Sequence, residues 1–179
     1  MTAALDRRTR GVTVVGLGNV LMGDDGLGPT VVRTLEAGFD FPPEVTVLDL
    51  GTPGLDLTPY LAGRDAVIIV DTVNATGQPG ELRTYRRDEL LAHAPGPRVS
   101  PHDPGLKEAL LTLEFAQDAP REVLLVGIIP ASVDRGTELS AAVATAIGPA
   151  VAAVLGELDR LGAPAVRKAD PVEPDLWWR

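Results

Sequence analysis

Apolar residues along the chain come in two kinds of run, separated by loops rich in glycine and aspartate. Val12 to Leu17 and Ala66-Val67-Ile68-Ile69-Val70 are nearly unbroken, β-branched stretches of strand length. That is the pattern of strands buried on both faces of a parallel sheet. Val45 to Leu48 and Val123 to Ile129 repeat it, and Gly80 to Tyr85 alternates as a further strand after Gly77-Gln78-Pro79-Gly80. Between these runs the period becomes helical. Pro29 suits a first helical turn, and Val31, Val32 and Leu35 give that helix an apolar side. Leu55 to Leu61 reads as a short helix and Leu106 to Phe115 as an amphipathic one. A last helix starts near Leu139, with Val143, Ile147, Val151, Val154, Leu158 and Leu161 on one side. Gly148-Pro149 predicts that it kinks or splits. Strands alternating with helices predict an α/β fold, a mostly parallel, twisted sheet of about five strands with helices on both faces.

Length changes this picture little. The chain has 179 residues, one domain at roughly 150 residues per domain. The pattern divides it into a basic, flexible arm over 1–11, a single α/β domain over 12–162, and a proline-rich tail over 163–179. The tail ends in Trp177-Trp178-Arg179 and is expected to be flexible. The start of the chain lacks the apolar run of a signal peptide, and no stretch approaches the ~20 apolar residues of a membrane span. A soluble, cytoplasmic protein without a membrane partner is expected.

Composition narrows the chemistry. Lys plus Arg is 16 against 25 Asp plus Glu, a net charge of −9, which argues against a nucleic-acid partner. Cysteine is absent, which removes disulfide scaffolds, thiol nucleophiles and Cys-based zinc sites. Two histidines, His93 and His102, and three serines, Ser100, Ser132 and Ser140, remain for most other enzyme chemistry. Carboxylates are what is left.

In a parallel sheet, sites form outside the carboxyl ends of the strands. Three acidic features stand just past three strands: Asp24 and Asp25, Asp49, and Asp71. If those strands are parallel neighbours, the carboxylates share one rim. His102, in Ser100-Pro101-His102-Asp103-Pro104-Gly105, lies in a loop that leads into a helix and can reach the same edge. Such a set suits a hard or borderline divalent metal. Each residue also has a plainer reading, because aspartates after strands commonly close turns and cap helices. His102 can be an ordinary loop residue, and His93 reads as a solvated residue at a helix end. The case rests on convergence.

Other motifs fail. Gly16-Leu17-Gly18 opens like a dinucleotide fingerprint, but Leu21 stands where the third glycine belongs. No phosphate-binding G-x-x-x-x-G-K-[ST] loop, G-x-S-x-G elbow or H-E-x-x-H helix is present.

The ordered string of motifs resembles the hydrogenase maturation proteases. Gly16-Leu17-Gly18-Asn19 with Met22-Gly23-Asp24-Asp25-Gly26 and Gly28-Pro29 is similar to that family's opening signature. Asp49 with Gly51-Thr52, then Ile68-Ile69-Val70-Asp71-Thr72-Val73, then Pro79-Gly80 follow in the family's order. So do Ser100-Pro101-His102 with Gly105-Leu106, and Leu125-Val126-Gly127-Ile128-Ile129-Pro130. The resemblance spans about residues 12–161. It implies an endopeptidase that removes the C-terminal extension of a nickel–iron hydrogenase large-subunit precursor after nickel insertion. The partner is then the nickel-loaded precursor, and nickel is carried by that substrate instead of being a permanent cofactor. The family's metal-recognition residues fall on Asp25, Asp71 and His102, with Asp25 the shorter of the two acids found at its position. Leu50 departs from the glycine of many members. Nickel would act as a Lewis acid toward a carbonyl or water, or position the bond while a carboxylate such as Asp25 serves as general base. Two other readings stay open: a non-hydrolytic nickel-binding maturation factor, and a small-ligand α/β enzyme whose glycine loop holds an anion. Oligomeric state is not legible.

Overall fold

The computed structural model describes residues 11–52, 57–92 and 103–179. Each long apolar run becomes a strand. β1 (Val12–Leu17), β3 (Val45–Gly51), β4 (Ala66–Thr72) and β6 (Glu122–Ile128) pair in parallel, and β5 (Leu82–Arg86) adds antiparallel to β6 at one edge. The sheet order is β3-β1-β4-β6-β5. The α/β architecture with a mostly parallel five-stranded sheet is as expected from the pattern.

Two apolar clusters cover the two faces. Ile68 and Val70 of β4 meet Leu27, Val31 and Leu35 of α1 (Leu27–Gly38) and Val143, Val151 and Val154 of α5 (Ala141–Arg160). The alternate residues Val67 and Ile69 face the other way. They meet Leu61 of α2 (Thr58–Leu61), Leu90 of α3 (Arg87–Ala92) and Leu110 of α4 (Asp103–Phe115). Strands buried on both faces explain why their runs are continuous and not alternating.

Topology sets where a site can lie. From β1 the chain passes through α1 to β3 on one side; from β3 it passes through α2 to β4 on the other side of β1. The strand order therefore reverses between β1 and β4, and the crevice outside their carboxyl ends is the switch point where ligands bind in open α/β sheets. α4 ends at Phe115, and the connection to β6 bonds at the amino edge, with Asp118 O accepting from Gly63 N and Asp65 O from Arg121 N. At about 20 Å long, α4 spans the sheet from there, so its first residue, Asp103, stands at the carboxyl edge.

Three expectations change. α5 is one continuous helix with Pro149 inside it, not a split pair. It is also 20 residues long with a mean hydropathy of 1.7 over 18 of them, long and apolar enough to span a membrane by those measures. Its buried stripe, from Val143 to Leu158, lies instead against the sheet. The tail expected to be flexible packs onto the domain. β7 (Val166–Arg167) pairs antiparallel with β2 (Phe39–Asp40), Lys168 N donates to Gly38 O, Val172 N donates to Ala37 O, and Trp178 is buried. Hydrogen bonding to the end of α1 and burial of an indole hold it there. Residues 1–10 of the arm, and His93, lie outside the described residues.

Candidate functional site

The loop after β1 tightens into a 3-10 turn, Gly23–Gly26, that leads straight into α1. Glycines make this close approach possible. Gly18 has φ +134°, and a Cβ there would overlap the Asp25 carbonyl oxygen; a Cβ on Gly28 would overlap Leu17 O and crowd Val70 O. The glycine-rich loop thus seats the start of α1 on β1 and β4, a packing role that needs no bound phosphate.

Asp25 stands on this turn at the switch point, bonded to the end of β4. Its Oδ2 accepts from Asn19 N at 2.8 Å, and its Oδ1 accepts from Thr72 Oγ1 at 3.2 Å. Asp71 stands at the end of β4, and its Oδ1 accepts from Thr72 N at 2.7 Å. Thr72 therefore bonds both acids, one through its hydroxyl and one through its backbone. Strand alternation explains the arrangement. Thr72 belongs to the α1-facing set with Ile68 and Val70, which brings its hydroxyl to Asp25. Asp71 belongs to the opposite set with Val67 and Ile69, the side covered by α4. Asp71 is 1% exposed and Asp25 8%.

The other predicted rim residues have different work. Asp24 is buried and serves four donors: Ala131 N at 2.8 Å and Ser132 N at 3.1 Å on Oδ2, Ser140 N at 2.6 Å on Oδ1, and Ser140 Oγ at 2.9 Å on Oδ2. It ties the turn to the loop between β6 and α5. Ser140 in turn caps α5, its Oγ accepting from Val143 N at 3.3 Å. Asp49 lies on the β3 edge, closing a local turn to Gly51 N at 3.1 Å and meeting Arg33 Nη2 at 3.5 Å. The plain turn-forming reading is the right one for both.

His102 immediately precedes α4 and lies outside the described residues. Among the described residues no three His, Asp or Glu side chains gather as a metal-binding set. The described part of the site is a pair of carboxyl groups that both bond Thr72 at the switch point; carboxylate oxygens are donors for hard or borderline divalent cations and can take a proton from water. Thr72 and Asn19 are the partners that pattern reading missed. The available signal was one hydroxyl at an α1-facing position of β4, where Ile68 and Val70 are aliphatic.

Known proteins resemble the chain throughout this framework. The family described as "Hydrogenase maturation protease" matches residues 29–157. The hydrogenase 2 maturation protease of Escherichia coli is 35% identical over 156 residues, covering 87% of this chain and 94% of that protein. The hydrogenase expression/formation protein HupD of Rhodobacter capsulatus is 34% identical over 170 residues, covering 92% and 81%. Among solved structures, the hydrogenase maturating endopeptidase HybD from E. coli superposes with a TM-score of 0.81 at 34% identity, over 89% of this chain and 99% of that one. With this fold and these matches over most of its length, the chain belongs to the hydrogenase maturation protease family, the endopeptidases of hydrogenase maturation.

Proposed function

We propose that this chain removes the C-terminal extension of a nickel–iron hydrogenase large-subunit precursor after nickel insertion, and that Asp25, Asp71 and His102 engage the nickel the precursor carries. The observation that supports the reading best is the meeting of Asp25 and Asp71 on Thr72 at the switch point. Oxygen donors with an imidazole suit a borderline divalent ion. A substrate-borne metal also fits a chain without cysteine, since the thiolates that hold nickel belong to the precursor. An empty precursor then offers nothing to engage, and cleavage becomes a checkpoint on metal insertion.

Water is the nucleophile in this scheme. Ser132 Oγ bonds Asp134 and Ser140 Oγ bonds Asp24, so both hydroxyls are committed to turn and cap geometry. The water oxygen adds to the scissile carbonyl carbon, the carbon–nitrogen bond breaks, and the departing amine takes up a proton. Asp25, the more accessible acid, is the group assigned to receive the proton from water. Processing in the cytoplasm is part of the same proposal.

Incubation with nickel-loaded and nickel-free precursor, followed by intact-mass measurement, tests the reading. Loss of the extension mass from the loaded form alone is expected, and Asp71→Asn or His102→Ala should abolish it with circular dichroism unchanged. Cleavage of the empty form sinks the checkpoint, and normal cleavage by either variant sinks the site assignment. An unchanged precursor mass with tight nickel binding by the isolated chain points instead to a non-hydrolytic nickel-binding factor.

A further inference from the structure

We propose that Thr72 is a positioning residue that couples the two acids, so that Asp25 and Asp71 act on one substrate group together; this rests on the reading of those acids given above. Asp25 and Asp71 come from different elements, Asp25 from the 3-10 turn before α1 and Asp71 from the end of β4 itself. Glycine packing seats the two backbones against each other, but it does not hold the carboxyl groups themselves. Thr72 does so with two bonds from one residue, its hydroxyl to Asp25 Oδ1 at 3.2 Å and its N–H to Asp71 Oδ1 at 2.7 Å.

The geometry makes this more than incidental. Thr72 is fully buried, so water does not compete for the hydroxyl. Its N–H belongs to a strand held in register with β6, where Thr72 pairs with Ile128. The hydroxyl therefore carries the rigidity of the sheet out to a turn. Asp25 needs that anchor, because its other described bond comes from Asn19 N at 2.8 Å, within the same β1–α1 loop. Without Thr72 Oγ1, Asp25 keeps a local partner and loses its described tie to β4. Partners behind a metal-engaging ligand typically account for about 10–100-fold in affinity or activity.

Valine and serine separate the hydroxyl from the methyl. Single-turnover cleavage of nickel-loaded hydrogenase large-subunit precursor is measured for the wild type, Thr72→Val, Thr72→Ser and Asp71→Asn. Amide hydrogen exchange at Asn19 is followed without substrate. Thr72→Val is expected to lower the maximal rate about 10–100-fold, with the half-saturating precursor concentration little changed. Asn19 exchange accelerates in the same variant, because Asp25 is no longer pinned. Thr72→Ser restores both. A wild-type rate in Thr72→Val overturns the coupling, as does equal slowing in Thr72→Ser, which would assign the effect to packing of the methyl group. Unchanged Asn19 exchange in Thr72→Val also overturns it. Wild-type cleavage by Asp71→Asn removes the reading of the acids themselves, an outcome distinct from the others.

Discussion

Asp24 and Asp25 are neighbours with the same side chain, and their carboxyl groups do opposite things. Asp24 satisfies three backbone N–H groups and a hydroxyl of the β6–α5 loop; Asp25 bonds the end of β4 at the switch point. Removing the first should damage the fold and removing the second the chemistry. Asp24→Ala leaves buried donors unpaired and is expected to cost about 3 kcal/mol, read from urea unfolding. Asp25→Asn, which keeps an acceptor, should cost about 1 kcal/mol and still stop precursor cleavage. Equal stability losses would show that the two acids are not divided in this way. Pattern reading placed both on the rim and could not separate them. The donors that claim Asp24 lie at residues 131–140, more than a hundred positions along the chain.

Among elements, α5 shows how context overrides a local rule. Proline inside a helix removes one hydrogen bond and crowds the preceding turn. In α5 both Gly148 and Pro149 are exposed, while Val143, Ala146 and Ala150 face the sheet. The carbonyl that loses its partner can therefore bond water, and apolar burial holds the helix in one piece. The far end of α5 is fixed by charge. Glu157, 6% exposed, accepts from Arg86 Nη1 of β5 at 2.5 Å and from Arg160 Nη2 at 2.8 Å, while Arg160 also bonds Glu122 of β6. This network joins a helix to two strands. Glu157→Gln is expected to lower stability by about 1–2 kcal/mol, less than a fully buried pair because both guanidinium groups are half exposed. A thermal scan of the variant against the wild type checks this; no change in midpoint would mean that the ions contribute nothing net.

For the whole molecule, that network makes part of the stability depend on pH. Burial raises the Glu157 pKa, but the hydrogen bonds from Arg160 and Arg86 outweigh it and hold the group down at about 2 against an ordinary 4.5. A depressed carboxyl pKa contributes stability that is complete above the ordinary value and lost as pH falls through the folded one. The stability gap between wild type and Glu157→Gln should therefore hold above pH 4.5 and close between 4.5 and 2, as melting temperatures across that range would show. A gap independent of pH would exclude this carboxylate as its source. At the same scale the division between sequence and structure becomes clear. Strand and helix runs, the α/β class and acids near strand ends were legible along the chain, although Asp49 and Asp71 lie within the last residues of their strands and not past them, because burial on two faces and helical period are local patterns. Strand order was not, since pairing joins residues far apart, and it is strand order that puts the ends of β1 and β4 side by side at a switch point. The tail's pairing with β2 was hidden for the same reason. The sequence by itself determined which carboxyl groups were available and that they stood at strand ends. Only the tertiary structure decided that Asp24 is claimed by the β6–α5 loop while Thr72 joins Asp25 to Asp71, because the donors to Asp24 and the hydroxyl on Asp25 lie 47 to 116 positions away along the chain.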